Sequence, residues 1–313
     1  MDRPVYIIIN PNCNQGRGWK RWLSIRSDVS KQLLQAKEIV TEKGEDLSIQ
    51  LKKILESNEE AFIISAGGDG SIHTLVNMLL KSGNSNKKNI SIGAIGLGSS
   101  NDFLKPFQSV IKNIPVRINI ARPYLLHDVG KAVYLDEKNN QKEKLFIINA
   151  SFGVTAEGNW NFNNPRRLLK WLKTNSTRLA ISYTAISTIL SYKNKYATIR
   201  FNGEEQQLNI SNINILKIPY VSGSLHYKQA ILRDDGRLGL NICFNMNKRE
   251  LLQTLFNLEK GRFTENNKRI STFANDFQLV SDIPIVFECD GETEKATCVQ
   301  VSVIPKAIKI LGN

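Results

Sequence analysis

The chain contains three short runs in which nearly every side chain is apolar: Val5-Tyr6-Ile7-Ile8-Ile9, Ala61-Phe62-Ile63-Ile64-Ser65 and residues 90–95. A sheet with one wet face is built from strands that alternate apolar and polar residues. A strand apolar throughout needs cover on both faces, which a parallel sheet between helices supplies. The intervening segments provide those helices. Trp22, Ile25, Val29 and Leu33 recur at helical spacing, residues 47–55 and 72–80 carry a similar pattern, and 38–40 makes a short second strand. The Trp19 and Trp22 pair reads as helix packing. This β-α-β-α alternation predicts an α/β domain, a parallel sheet flanked by helices.

The texture changes near Arg122-Pro123. Short strand candidates then recur at 128–134, 144–150, 197–201, 214–218, 238–244, 285–289 and 299–303. Turn signals at Asn202-Gly203, Asp235-Gly236 and Asp290-Gly291 separate several of them. The pattern predicts an antiparallel β-sandwich with two inserted helices, near 166–192 and 248–258. Residues 1–124 form the α/β domain and 125–305 the sandwich, with 306–313 the candidate return to the first as a last strand. A chain of 313 residues, 41% of them hydrophobic, is long enough for two such cores.

Lys and Arg number 42 against 29 Asp and Glu, so the net charge is 42 − 29 = +13. That balance favours anionic partners: a nucleotide, or an anionic membrane surface met peripherally. Nucleic acid is set aside, because no basic stripe is interleaved with aromatics and there is no zinc-finger or RNP signature. Cys13, Cys243, Cys289 and Cys298 make no C-x-x-C pair, and His73, His127 and His226 share no ligand spacing. The longest mainly apolar stretch, 179–190, is too short to span a bilayer. No signal-peptide pattern opens the chain. The expectation is a cytoplasmic protein, peripheral at most on the inner membrane face, with its oligomeric state left open.

Chemistry concentrates at three strand ends. The third strand runs into Gly67-Gly68-Asp69-Gly70-Ser71, where paired glycines let backbone approach a ligand and the next helix presents its positive end to an anion. Asn10-Pro11-Asn12-Cys13-Asn14-Gln15-Gly16 follows the first strand, and Gly98-Ser99-Ser100-Asn101-Asp102 follows the fourth. Open α/β sheets bind ligands outside the carboxyl ends of their strands, so the three loops define one crevice. No Walker A loop is present.

These three loops resemble the signature loops of the diacylglycerol kinase-like lipid kinase family, which includes bacterial diacylglycerol kinases and sphingosine kinases. The resemblance continues in order through Asn149-Ala150-Ser151-Phe152-Gly153, the 230–238 stretch containing Asp235-Gly236, and Asp290-Gly291-Glu292. It implies an N-terminal nucleotide-binding domain like that of NAD kinase and phosphofructokinase, a C-terminal β-sandwich for the lipid substrate, and the cofactors ATP and Mg²⁺. It further implies nucleotide contacts at Asn10, Asn14, Thr41, Gly67, Gly68, Asp69, Gly70, Ser71 and Ser99. Glu292 aligns with the general base. Asp235, with backbone oxygens at Leu232 and Arg237, aligns with a structural Mg²⁺ site. Two positions depart from the family's usual pattern: Cys13-Asn14 stands where members often have Ser-Gly, and Ser99-Ser100 where they often have Thr-Gly.

The residues themselves fit phosphoryl transfer, which needs alignment and charge neutralisation more than covalent help. Asp69 suits Mg²⁺, and Glu292 or Asp290 suits removal of a hydroxyl proton. The expected activity is ATP-dependent phosphorylation of a lipid alcohol, diacylglycerol or a relative. The competing readings are a soluble-substrate kinase such as an NAD kinase, and a catalytically silent nucleotide- or lipid-binding protein.

Overall fold

A computed structural model describes residues 3–41, 44–57, 60–83, 85–136, 138 and 140–312. The chain divides into two compact units, Met1–Asp128 with Lys306–Asn313, and Val129–Pro305.

In the first unit, β1 (Val5–Ile9), α1 (Gly18–Gln32), β2 (Lys37–Val40), α2 (Gly44–Glu56), β3 (Ala61–Gly67), α3 (Asp69–Lys81) and β4 (Ile90–Gly96) follow in strict alternation. The strands pair in parallel in the order β2-β1-β3-β4. Every residue of β3 and of β4 is buried, as two covered faces require. Helix α1 turns Trp22, Ile25 and Val29 inward, all fully buried, onto a core that includes Ile7, Ile9 and Ile64. A hairpin of β5 (Val110–Ile111) and β6 (Ile114–Arg117) sets β6 antiparallel to the end of β4. The start of β4 is paired instead by the chain's tail, where Lys309 and Ile310 lie parallel to Ser91 and Ile92.

In the second unit, β7 (Leu125–Leu135), which starts just before it, pairs with β8 (Gln141–Phe146), and β9 (Asn149–Gly153) follows. After three helices come β10 (Lys195–Phe201), β11 (Glu204–Leu216), the small ribbon β12 (Tyr220–Val221) and β13 (Leu225–His226), β14 (Leu238–Phe244), α7 (Lys248–Glu259), β15 (Arg269–Ala274), β16 (Asp276–Cys289) and β17 (Glu292–Ile310). The last residues of β17 are the tail already described. The long strands β11 and β16 each pair with β10 along one part and with β9 along another. Their register shifts between Ile210 and Asn212 in β11 and between Val280 and Ile285 in β16. Phe152, Ile199, Ile213, Leu240, Phe277 and Phe287 pack the interior.

The architecture is the expected one, an α/β unit and an antiparallel β-sandwich, with local differences. Where a single helix is expected near 166–192 there are two, α5 (Arg167–Asn175) and α6 (Thr177–Ser191), and an unforeseen helix α4 (Val154–Asn163) precedes them. Asn164-Pro165 separates α4 from α5, because proline cannot continue a helix. Ser176 caps α6 by accepting from the Leu179 amide. The single strand expected at 144–150 is two, interrupted at Ile147 and Ile148, whose amides bond a side chain instead of a neighbouring strand. Strand β15 lacks an apolar alternation strong enough to announce it.

Candidate active site

The three glycine-bearing loops do meet, because β1, β3 and β4 are neighbours and end level with one another. Strands β3 and β4 remain in register up to the pair Gly67 and Gly96. Beyond it the Gly67 carbonyl accepts from the amides of Leu97 (2.8 Å) and Gly98 (3.3 Å). The backbones then touch: a Cβ on Gly98 would lie 2.5 Å from the Gly68 Cα, and one on Gly67 would lie 2.2 Å from the Ser71 hydroxyl. Only glycine permits both approaches. Asn10 closes the third side, donating from Nδ2 to Ser71 Oγ at 3.0 Å while its own amide bonds the Ala66 carbonyl.

Asp69 opens α3, with Gly68 as its N-cap in extended backbone. One oxygen of Asp69 accepts from the Phe103 amide at 3.1 Å, tying the β3 loop to the turn after the β4 loop. Gly70 has open space around its Cα, and Ser99 is exposed. Thr41 is fastened to the end of β1, its amide and its hydroxyl both donating to the Ile9 carbonyl. Asn14 stands in left-handed backbone at φ 51, a conformation asparagine tolerates better than most residues, so the turn does not require glycine there. The second departure is equally mild. The left-handed position after β4 is Asn101 (φ 52), not Ser100, and the Asn101 side chain bonds the Gly98 amide and the Gly96 and Gly98 carbonyls.

Arg21 is a residue the sequence reading missed. From α1 it donates to the Gly98 carbonyl at 2.9 Å and the Gly96 carbonyl at 3.1 Å, setting a guanidinium against the loops. Asp102 is buried and ion-paired with Lys105 at 2.6 Å.

In the second unit, Asp290 and Gly291 are the two central residues of a hairpin turn joining β16 to β17, with φ 49 and 91. Two positive φ values make it the Asp-Gly hairpin its sequence suggests. Asp290 does more than turn the chain. Its Oδ2 accepts from the Ile147 amide (2.8 Å), and its Oδ1 from those of Ile148 (2.9 Å) and Asn149 (3.0 Å). Glu292, two residues on, is exposed. Glu288 was not foreseen. It is buried beneath the same turn, where it accepts from Asn149 Nδ2 (2.5 Å), Ser151 Oγ (2.8 Å) and the Gly291 amide (2.6 Å). Burial, with help from the nearby Asp290 charge, pushes its carboxyl up to about 7. Its one signal in the sequence is a glutamate inside the apolar run of β16.

Leu232, Asp235 and Arg237 lie in the loop before β14 and are brought together, but around an ammonium. Lys217 Nζ donates to the Arg237 carbonyl at 2.8 Å and the Leu232 carbonyl at 3.2 Å, and pairs with Asp235 Oδ1 at 3.4 Å. Asp235 also accepts from the Arg237 amide and guanidinium. The oxygens expected to ligate Mg²⁺ are thus engaged by a lysine, and a divalent cation does not fit among them.

Fold and loops together define a two-unit kinase, and comparison with known proteins agrees. Residues 4–122 match the family described as the diacylglycerol kinase catalytic domain. Residues 150–312 match the YegS C-terminal NAD kinase beta sandwich-like domain. The chain belongs to the diacylglycerol kinase-like lipid kinase family, and it is a kinase. A protein of Staphylococcus carnosus (strain TM300) provisionally named a lipid kinase is 25% identical over 305 residues, covering 91% of this chain and 92% of its own. A protein of the same strain named diacylglycerol kinase is 28% identical over 163 residues, 47% of this chain and 51% of its own. A solved structure from Bacillus anthracis str. Sterne, provisionally titled a diacylglycerol kinase, superposes with a TM-score of 0.73 at 17% identity, covering 99% of this chain and 97% of that one. At that identity the likeness is one of fold.

The buried Glu288 makes stability depend on pH. The folded chain holds its proton up to about pH 7, whereas the unfolded chain releases it near the ordinary value of 4.5. Folding therefore takes up a proton between those limits, and stability falls as pH rises through them. Urea unfolding from pH 5 to 8 should show a steeper loss for the wild type than for Glu288→Gln. Equal slopes would mean that Glu288 ionises in the fold as readily as in water.

Proposed function

We propose that the enzyme transfers the γ-phosphoryl group of ATP, carried as its Mg²⁺ complex, to the hydroxyl of a lipid alcohol such as diacylglycerol. The observation that carries this reading is the meeting of the three loops at the carboxyl ends of β1, β3 and β4, with the amino end of α3 opening among them. Backbone amides at a helix start, next to glycines that keep side chains out of the way, suit nucleotide phosphates. Mg²⁺ asks for one or two carboxylates plus phosphate oxygens, and Asp69 offers one. When bound, the ion neutralises charge on the phosphates. The nucleotide contacts we assign are Asn10, Asn14, Thr41, Gly67, Gly68, Gly70, Ser71 and Ser99, with Arg21 adding positive charge.

We assign the proton-accepting role to Glu292 rather than Asp290. Both oxygens of Asp290 are held by three amides, a geometry suited to fastening a loop. Glu292 is exposed at the start of β17. In the step proposed, the lipid oxygen bonds to the γ-phosphorus, the bond to the ADP oxygen breaks, and the hydroxyl proton passes to Glu292.

A lipid acceptor requires contact with a bilayer, and α5 with α6 supplies a surface for it. Leu179, Tyr183, Ile186 and Leu190 are exposed along one face of α6, while Ala180, Thr184 and Thr188 on its other face are buried. Leu168 and Trp171 are exposed on α5, beside Arg166, Arg167 and Lys170. Apolar side chains flanked by basic ones match an anionic interface. Among the described residues no helix is long and apolar enough to cross a membrane.

Three measurements test these assignments. Asp69→Ala should abolish turnover while thermal melting remains cooperative; near-normal activity in that variant would remove Asp69 from the site. Glu292→Gln should lower turnover by roughly 10²-fold or more with ATP affinity unchanged, whereas Asp290→Asn should act mainly by lowering the melting temperature. The opposite split would make Asp290 the base. Co-sedimentation with anionic vesicles should weaken as salt rises, since exposed charges are screened over about 8 Å at physiological ionic strength, and should fall on Trp171→Ser. Binding indifferent to both changes would place membrane contact elsewhere.

A further inference from the structure

Lysine is among the side chains least often fully buried, and a buried one must be paired. Lys217 directly follows β11 and its side chain is wholly buried. An ammonium has three N–H donors and no acceptor. Among the oxygens that receive them are the carbonyls of Leu232 and Arg237 and the Asp235 carboxylate. Asp235 is itself largely covered, its side chain 12% exposed. Two carbonyls and a carboxylate turned onto one point form a cation site, and the point is held by an atom of the chain itself.

We infer that Lys217 is a built-in cation that does in this protein the work of a bound structural Mg²⁺, so that the second unit folds without metal at Asp235. The loop is closed from both sides. At one side Asp235 accepts the Arg237 amide at 3.0 Å, and Gly236 between them takes φ 72. At the other, the ammonium draws the Leu232 and Arg237 carbonyls onto the end of β11. Ile148 carries the connection further: its carbonyl accepts from the amides of Lys217 and Ile218, while its own amide donates to Asp290. The loop at 232–237 and the turn bearing Glu292 are thus referenced to one backbone residue. A metal cannot join this arrangement. Mg²⁺ binds oxygens at about 2.0–2.1 Å, so it would have to sit where the ammonium is, and two cations that close in buried surroundings repel strongly. The magnesium requirement of the enzyme then comes from the nucleotide alone.

The test uses the nucleotide-free full chain, and because it reads metal binding and melting without ATP or lipid, its outcome is separate from that of the kinase proposal. Mn²⁺ is titrated by electron paramagnetic resonance into wild type and Asp235→Asn. Equal binding is expected; a stoichiometric site present in wild type and lost in Asp235→Asn overturns the inference. Lys217→Met removes the ammonium and leaves Asp235 with Arg237 as its cationic partner. It should melt lower by roughly 5 °C or more and should gain a Mn²⁺ site that Lys217→Met/Asp235→Asn lacks. A Lys217→Met protein that melts like wild type, or that folds and takes up no Mn²⁺, also overturns it. Should Lys217→Met fail to fold, the comparison of wild type with Asp235→Asn decides alone.

Discussion

The contact of backbone with backbone between Gly68 and Gly98 is the constraint on which the first unit's loops depend. It exists because β3 and β4 keep parallel register to their last residues, and because neither glycine carries a side chain to hold the loops apart. Asp69 and the start of α3 are placed by it, Asn101 locks one loop from within, and Arg21 braces it from α1. Asp69 and the residues around it are therefore positioned largely by main chain, which has few ways to relax. A rigid floor of this kind suits a reaction whose barrier is lowered chiefly by alignment.

The second unit solves a related problem with charge. Three ionisable side chains, Asp290, Glu288 and Lys217, sit where strands end, and each is satisfied mainly by backbone or by amide and hydroxyl groups. A polar group held by several partners stabilises one arrangement of the chain and penalises near relatives of it, because a displaced partner leaves a donor or acceptor unsatisfied in poorly solvated surroundings. Loops at strand ends need such definition, since regular strand pairing stops there.

Much of this was legible in the sequence. The apolar runs of β1 and β14 gave their strands residue for residue, and the glycine loops fell at strand ends as their spacing implied. Asp290-Gly291 reads as a hairpin turn and is one. What could not be read shares a physical cause: the informative contact is long-range and made to a carbonyl or amide, which carries no residue identity. Lys217 stands in an apolar run, a hint that it is buried, but nothing marks Leu232 and Arg237 as its partners. Asp290 as an anchor for residues 147–149 is invisible for the same reason, since its partners lie some 140 positions away and act through their amides. Helix α4 was missed because its apolar residues follow no clear stripe, which leaves packing rather than periodicity to decide it.

The partner exchange of β11 and β16 has a consequence for how the second unit comes apart. Each of these strands serves β10 along one stretch and β9 along another, so each couples two neighbours. Opening at β10 and opening at β9 therefore act on the same two strands. Sharing of this kind favours loss of structure as one cooperative event.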